Sequence, residues 1–244
     1  MPQEILINTK QLVITPNQNC NLRCKHCYVK DFQKNYIDSA SLLLFLNKAV
    51  THNITNFYWV GGEVFLYPDF CQIVDMFPNI THTIQTNGTI LPKFKKYDNL
   101  SFQISIDGME SAHDLNRGRG TFAKSINFLK FVNDSGSKVV TRTLMFPQAK
   151  ESFDQFEQLT KSIDPSIECW KITPWEADGA KPEKILELVM SINNKGVHNC
   201  CECFAKIGEL DEEIPILLER LKSSIHLCKR CAFYSKCVES KTGN

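Results

Sequence analysis

The chain has 244 residues, 43% hydrophobic and 23% charged, with a formal net charge of +1. This balance suits one large globular domain with an appendage, and it argues against a dedicated nucleic-acid or membrane-surface binder. The longest apolar run, Leu42 to Leu46, is far too short to cross a bilayer. The first ten residues show no charged segment followed by an apolar core, so the expected location is the cytoplasm.

Six β-rich runs recur through the first 174 residues, at 12–16, 56–60, 82–87, 101–107, 138–145 and 168–174. Helical patterns separate most of them. One spans 39–53 behind the N-cap Asp38, one spans 68–77 from Pro68, one spans 121–136 and stops on Gly136, and one spans 150–163. The third crossover, around residues 91–98, is too short for much helix. Alternating strands and helices predict a parallel sheet with helices outside, as an open sheet or an incomplete barrel. After residues 175–182 the texture changes. A boundary near 176 divides a core domain, 1–176, from a cysteine-rich subdomain, 177–244. Within the latter, 182–194 and 211–225 read as helices, and a piece so small needs a metal or disulfide staple.

The 11 cysteines are unevenly spread. Cys20, Cys24 and Cys27 lie early, and Cys200, Cys201, Cys203, Cys228, Cys231 and Cys237 lie late. Cys71 and Cys169 sit between in apolar contexts and read as packing residues. Without a secretion signal, such clusters point to metal binding or redox chemistry rather than disulfides. Spacings of three and two residues let the early thiolates converge on one compact centre, as in iron–sulfur sites. Three ligands leave one iron of a four-iron cube open, which a reactive site needs. The loop follows the first strand, at the end where parallel α/β folds carry their chemistry. On spacing alone, a zinc site completed by His26 or a remote residue stays open.

Cys20-Asn-Leu-Arg-Cys24-Lys-His-Cys27-Tyr28 resembles the cluster motif of the radical S-adenosylmethionine (radical SAM) superfamily. The resemblance implies a six-stranded partial (β/α)6 barrel. It also implies that Cys20, Cys24 and Cys27 hold a [4Fe–4S] cluster whose open iron is chelated by the amino and carboxylate groups of SAM. Gly61-Gly62-Glu63 is similar to the family's GGE motif, although Val64 and Phe65 replace the proline and leucine that commonly follow. Asn87 and Gly88 end the third strand, and Ser105, Asp107 and Gly108 end the fourth. The cofactor-binding set so implied is Tyr28, Gly61, Gly62, Glu63, Asn87, Ser105, Asp107 and Arg117. The segment from His113 to Phe122, with Asp114, Arg117, Gly118 and Gly120, is similar to the branch that modifies peptides or sulfatases and carries SPASM or twitch extensions.

The tail resembles a shortened SPASM region, near the twitch form. That implies one auxiliary [4Fe–4S] cluster on Cys228, Cys231 and Cys237 with Cys201 or Cys203, while a zinc ion held by four thiolates is the rival. Only seven residues follow Cys237, so a second auxiliary cluster is not expected. The resemblance implies reductive cleavage of SAM to a 5′-deoxyadenosyl radical, which takes a hydrogen atom from a substrate. The expected substrate is a peptide, such as a ribosomally made precursor, with a reductant such as flavodoxin or ferredoxin. About a dozen residues precede the first strand, so a separate protein, or direct binding, is expected to capture the peptide. The alternatives are a small alcohol, sugar or nucleoside precursor as substrate, or a non-enzyme that uses clusters for electron transfer or zinc as a staple. No catalytic base is legible.

Overall fold

The computed structural model describes residues 6–27, 36–95, 98–172, 187–198 and 206–224. Six strands, β1 (Leu6–Ile14), β2 (Asn56–Trp59), β3 (Thr81–Thr86), β4 (Leu100–Ser105), β5 (Lys138–Leu144) and β6 (Glu168–Ile172), lie side by side in chain order. Every neighbouring pair among them is parallel. This is the six-unit partial barrel. Its crossovers carry α1 (Ser39–Thr51), α2 (Phe70–Asp75), α3 (Glu110–Arg117), α4 (Thr121–Asp134) and α5 (Pro147–Ile163). Asp38 caps α1 by accepting from the Ser41 N–H at 3.0 Å. The crossover between β3 and β4 has no helix among the described residues.

Burial alternates along the strands because successive side chains point to opposite faces. Phe57, Trp59, Ile84, Phe102 and Ile104 point outward into one apolar core with Phe45, Phe128, Phe153 and Phe156 from the helices. The opposite face is polar, with Tyr58, Gln85, Gln103 and Arg142 half-buried on four successive strands. In a flat sheet β2 and β5 would stand about 14 Å apart. Tyr58 Oη and Arg142 Nη1 nevertheless meet at 3.0 Å, so the polar face is concave.

Patterning predicts a helix over 182–194, but Glu187–Asn193 form a strand, β7, parallel to β1 on the side away from β2. Met190, Ser191 and Ile192 are all buried, so both faces of this strand are covered and neither periodicity is visible. The open edge of β1 supplies the partner hydrogen bonds that override helix propensity. Strands β8 (Gly196–His198) and β9 (Lys206–Gly208) continue the sheet antiparallel, and α6 (Ile214–Ser223) forms where a helix is expected. Its Ile214, Leu217 and Leu221 join the same core. Among the described residues no helix is long and apolar enough to cross a membrane.

Candidate cluster and cofactor site

The cysteine loop follows β1 and rests on the end of β2. Gly62 N–H donates to Asn17 O at 3.2 Å and Glu63 N–H to Asn19 O at 2.8 Å. The approach is so close that a Cβ on Gly62 would lie 2.6 Å from Gln18 O. Gly61 faces Asn17 in the same way and has φ +142°, which favours glycine. Side chains tie the loop to the end of β3. Asn87 Nδ2 donates to Asn21 Oδ1 at 3.0 Å and lies 3.8 Å from Cys20 Sγ, while Asn21 Nδ2 donates to Thr89 Oγ1 at 2.8 Å.

Glu63 is fully buried where these segments meet. Its Oε1 accepts from Thr86 Oγ1 at 2.8 Å and from Phe65 N–H at 3.3 Å, and its Oε2 accepts from Asn87 N–H at 2.9 Å. Burial pushes its carboxyl up to about 7, although these donors pull it the other way.

A second tie runs through α3. Lys25 N–H donates to Asn116 O at 3.0 Å, and Asn116 Nδ2 lies 2.7 Å from His26 Nδ1 and 2.6 Å from Asp107 Oδ2. Asp107 also accepts from Leu144 N–H at 3.0 Å and from both Nε and Nη2 of Arg117. Burial opposes the charge on Asp107, but the Arg117 guanidinium overrides it and holds the carboxyl below the usual range. Arg117 is the last residue of α3. The buried face of that helix is Ala112, His113, Asn116 and Arg117, so no apolar stripe marks it. Asp114 caps the next helix, accepting from Phe122 N–H at 2.9 Å.

Cys20, Cys24 and Cys27 are half-buried and free of disulfides. Burial raises the Cys20 and Cys24 thiols, and Arg117 works against that rise at Cys24. Among the described residues no three Cys, His, Asp or Glu side chains are gathered closely enough for a single metal ion. Three soft, unbridged donors spaced along one loop, open toward the strand ends, fit a multi-iron cluster with thiolate ligands. His26, the residue a zinc site would recruit, has its Nδ1 engaged by Asn116.

The geometry thus gathers Cys20, Gly61, Gly62, Glu63 and Asn87 into one arrangement, with Cys24, Asp107 and Arg117 joined through α3. Ser105 ends β4 and stands opposite Arg142 in register. Tyr28, Cys201, Cys203, Cys228, Cys231 and Cys237 lie outside the described residues. Sequence reasoning missed Asn116, Asn21 and Thr86, which carry no motif. It also missed the polar set Tyr58, Gln85, Gln103 and Arg142, whose only signal is polar residues at alternate strand positions.

Residues 14–162 match the family described as the Radical SAM superfamily. The chain belongs to that superfamily. Membership implies a [4Fe–4S] cluster and SAM. Among relatives of this radical SAM protein is the sporulation killing factor maturation protein SkfB of Bacillus subtilis (strain 168), 31% identical over 151 residues, covering 57% of this chain and 37% of SkfB. A cysteine-type anaerobic sulfatase-maturating enzyme of Clostridium novyi (strain NT) is 31% identical over 180 residues, covering 63% of this chain and 48% of its own. The chain therefore spans less than half the length of either relative. The solved structure of native anSMEcpe with bound AdoMet superposes with a TM-score of 0.73 over 93% of this chain and 87% of that one. At 16% identity this likeness shows the shared fold.

Proposed function

We propose that this radical SAM protein is an enzyme that matures a peptide, generating a 5′-deoxyadenosyl radical to take a hydrogen atom from that peptide. The observation that carries the reading is the seating of the Cys20–Cys24–Cys27 loop on Glu63 and Asn87, which follow β2 and β3, and on Asn116 of α3. The peptide substrate is supported by the likeness to SkfB and to a sulfatase-maturating enzyme, both named for maturation. Bound cluster and SAM together would supply one-electron cleavage of the sulfonium carbon–sulfur bond.

The chain's own residues provide position and seclusion. Asn21, Asn87 and Thr89 fix the first thiol against β3, and Asn116 fixes the later part of the loop against β4 and β5. Arg117 brings positive charge near the thiols, which favours their thiolate form. Ser105 and the carboxyl ends of β2 to β4 are the surfaces assigned to SAM, with Tyr28 as a further contact. Cys228, Cys231 and Cys237 with Cys201 or Cys203 are assigned to one auxiliary [4Fe–4S] cluster within 177–244. A flavodoxin or ferredoxin is the proposed electron source, and a separate recognition protein the proposed means of peptide delivery.

The test is an anaerobic assay of reconstituted protein with SAM and dithionite. Formation of 5′-deoxyadenosine is expected, and its complete absence from iron-loaded protein would end the reading.

A further inference from the structure

We infer that Arg142, on the concave face, receives a carboxylate of the peptide substrate, from an acidic side chain or from its carboxyl terminus. The inference rests on the peptide-maturing reading and specifies its substrate.

A cavity of about 270 Å³ opens on the concave face, walled by Gln11, Tyr58, Thr83, Gln103, Arg142 and Trp170. Arg142 is the charged group in that wall. Its Nη1 lies 3.0 Å from Tyr58 Oη, 2.9 Å from Gln85 Oε1 and 3.0 Å from Gln103 Oε1. Tyr58 Oη, with its single proton, lies 3.0 Å from Gln85 Oε1 and 2.9 Å from Gln103 Oε1 and can donate to either. Three strands thus contribute one side chain each to hold a single guanidinium nitrogen carried by a fourth. All three partners are neutral dipoles. Among the described residues no carboxylate lies within ion-pairing distance of Arg142, and no hydrogen bond engages its Nε or Nη2.

This arrangement differs from the other buried guanidinium, Arg117, which is neutralised on the spot by Asp107. Among the described residues this half-buried cation has only dipolar neighbours and no counter-charge. Its unused Nε–Nη2 edge has the fork geometry that matches a carboxylate through two parallel bonds, a match a lysine could not offer. The network fixes the orientation of that edge beforehand, so little ordering is left for binding.

The position is also informative. Gln85 precedes Asn87 by two residues and Gln103 precedes Asp107 by four, so this layer lies roughly 7–13 Å below the strand ends. That depth corresponds to about two to four residues of extended peptide. The structure therefore assigns the acidic group to a point two to four residues from the part of the peptide that reaches the strand ends. Trp170, 40% exposed, supplies an apolar wall beside the charge.

The experiment is calorimetric titration of the reconstituted full chain with short probe peptides. One carries a central aspartate with blocked termini, one its asparagine counterpart, and one the asparagine with a free carboxyl terminus. Wild type is expected to bind a carboxylate-bearing probe at least about tenfold more tightly than the blocked amide probe. Whether the side-chain or the terminal carboxylate binds better identifies its source. Arg142→Gln should abolish the preference, and Arg142→Lys, which keeps the charge, should retain part of it with an unchanged melting temperature. Equal binding of acid and amide probes, no binding of either, or tighter binding of inorganic phosphate than of any peptide would overturn the inference. The two readings fail separately. Wild type that produces 5′-deoxyadenosine while binding probes without regard to Arg142 loses only the anion site. Wild type that binds acidic probes through Arg142 but makes no 5′-deoxyadenosine loses only the radical chemistry.

Discussion

Arg117 reaches back to Asp107 with two parallel bonds, Nε to Oδ2 at 2.6 Å and Nη2 to Oδ1 at 3.2 Å, and the pair is buried beside the cysteine loop. Asp107 accepts two further bonds, from Asn116 and from the backbone of β5. Removing its charge strands a guanidinium in a low-dielectric site, and the loss exceeds what the pair itself contributes. Asp107→Asn is therefore expected to cost about 3–5 kcal/mol of stability, read by urea unfolding. A variant that unfolds at the wild-type urea midpoint would show that water reaches Arg117.

The meeting of Gly62 with Asn19 gives a sharper result, because the obstructing atoms are backbone. A methyl group there would fall within contact distance of Asn19 O and 2.6 Å from Gln18 O, directly before Cys20. Gly62→Ala must push the loop off β2 and break the Glu63 N–H bond to Asn19 O. The expected cost is about 1–3 kcal/mol, with much reduced iron uptake on reconstitution. Full iron loading in Gly62→Ala would mean that the loop takes up its cluster without this seat.

These two relationships also mark what was legible in the sequence. Gly61-Gly62-Glu63 and Asp107 could be found because they resemble the family's motifs, and their place after clear strands, where a parallel fold carries its chemistry, adds weight to that resemblance. The six parallel units followed from alternating periods for the same reason. Helix α3 could not be found, because its inward face is His113, Asn116 and Arg117 and reads as a solvated loop. Strand β7 was hidden by burial on both faces, which erases the alternation that identifies a strand. The contacts of Asn21 with Thr89 and of Asn116 with His26 join positions far apart in the chain, so no local spacing reports them.

Two buried histidines and one buried carboxyl pull stability in opposite directions with pH. His82 is held neutral: its Nδ1 accepts from Trp59 Nε1 at 3.0 Å and its Nε2 lies 3.1 Å from Phe77 O. Burial pushes His82 down to about 4 from 6.5, and His113 likewise. Between those values the unfolded chain binds the extra proton, so stability rises with pH from about 4 to 6.5. Glu63 is raised from 4.5 to about 7, so its contribution is full below 4.5 and is lost as pH rises through 7. Two histidines outweigh one carboxyl in the shared range, and the metal-free protein should be most stable near the upper end of the histidine range. His82→Gln should flatten the rising limb by up to about 1.4 kcal/mol per pH unit, and Glu63→Gln should remove the fall toward pH 7. Urea unfolding in steps from pH 4 to 8 reads both limbs. Identical slopes in wild type and either variant would refute the corresponding assignment.

Metal content separates the roles proposed for the two groups of cysteines. A loop that holds a cube through three thiolates cannot retain it when all three are removed, since among the described residues no other set of three Cys, His, Asp or Glu side chains could take a metal in their place. Replacing Cys20, Cys24 and Cys27 together by alanine should therefore take anaerobically reconstituted protein from about eight irons per chain to about four, with sulfide falling in parallel. The four that remain would belong to the tail, and adding Cys228→Ala and Cys231→Ala should remove them as well. Zinc in the tail predicts a different pair of values, about four irons falling to none with one zinc kept throughout. Iron that stays constant when the three loop cysteines are removed would contradict their assignment outright, because a cluster indifferent to those thiols cannot be the one that faces Glu63 and Asn87.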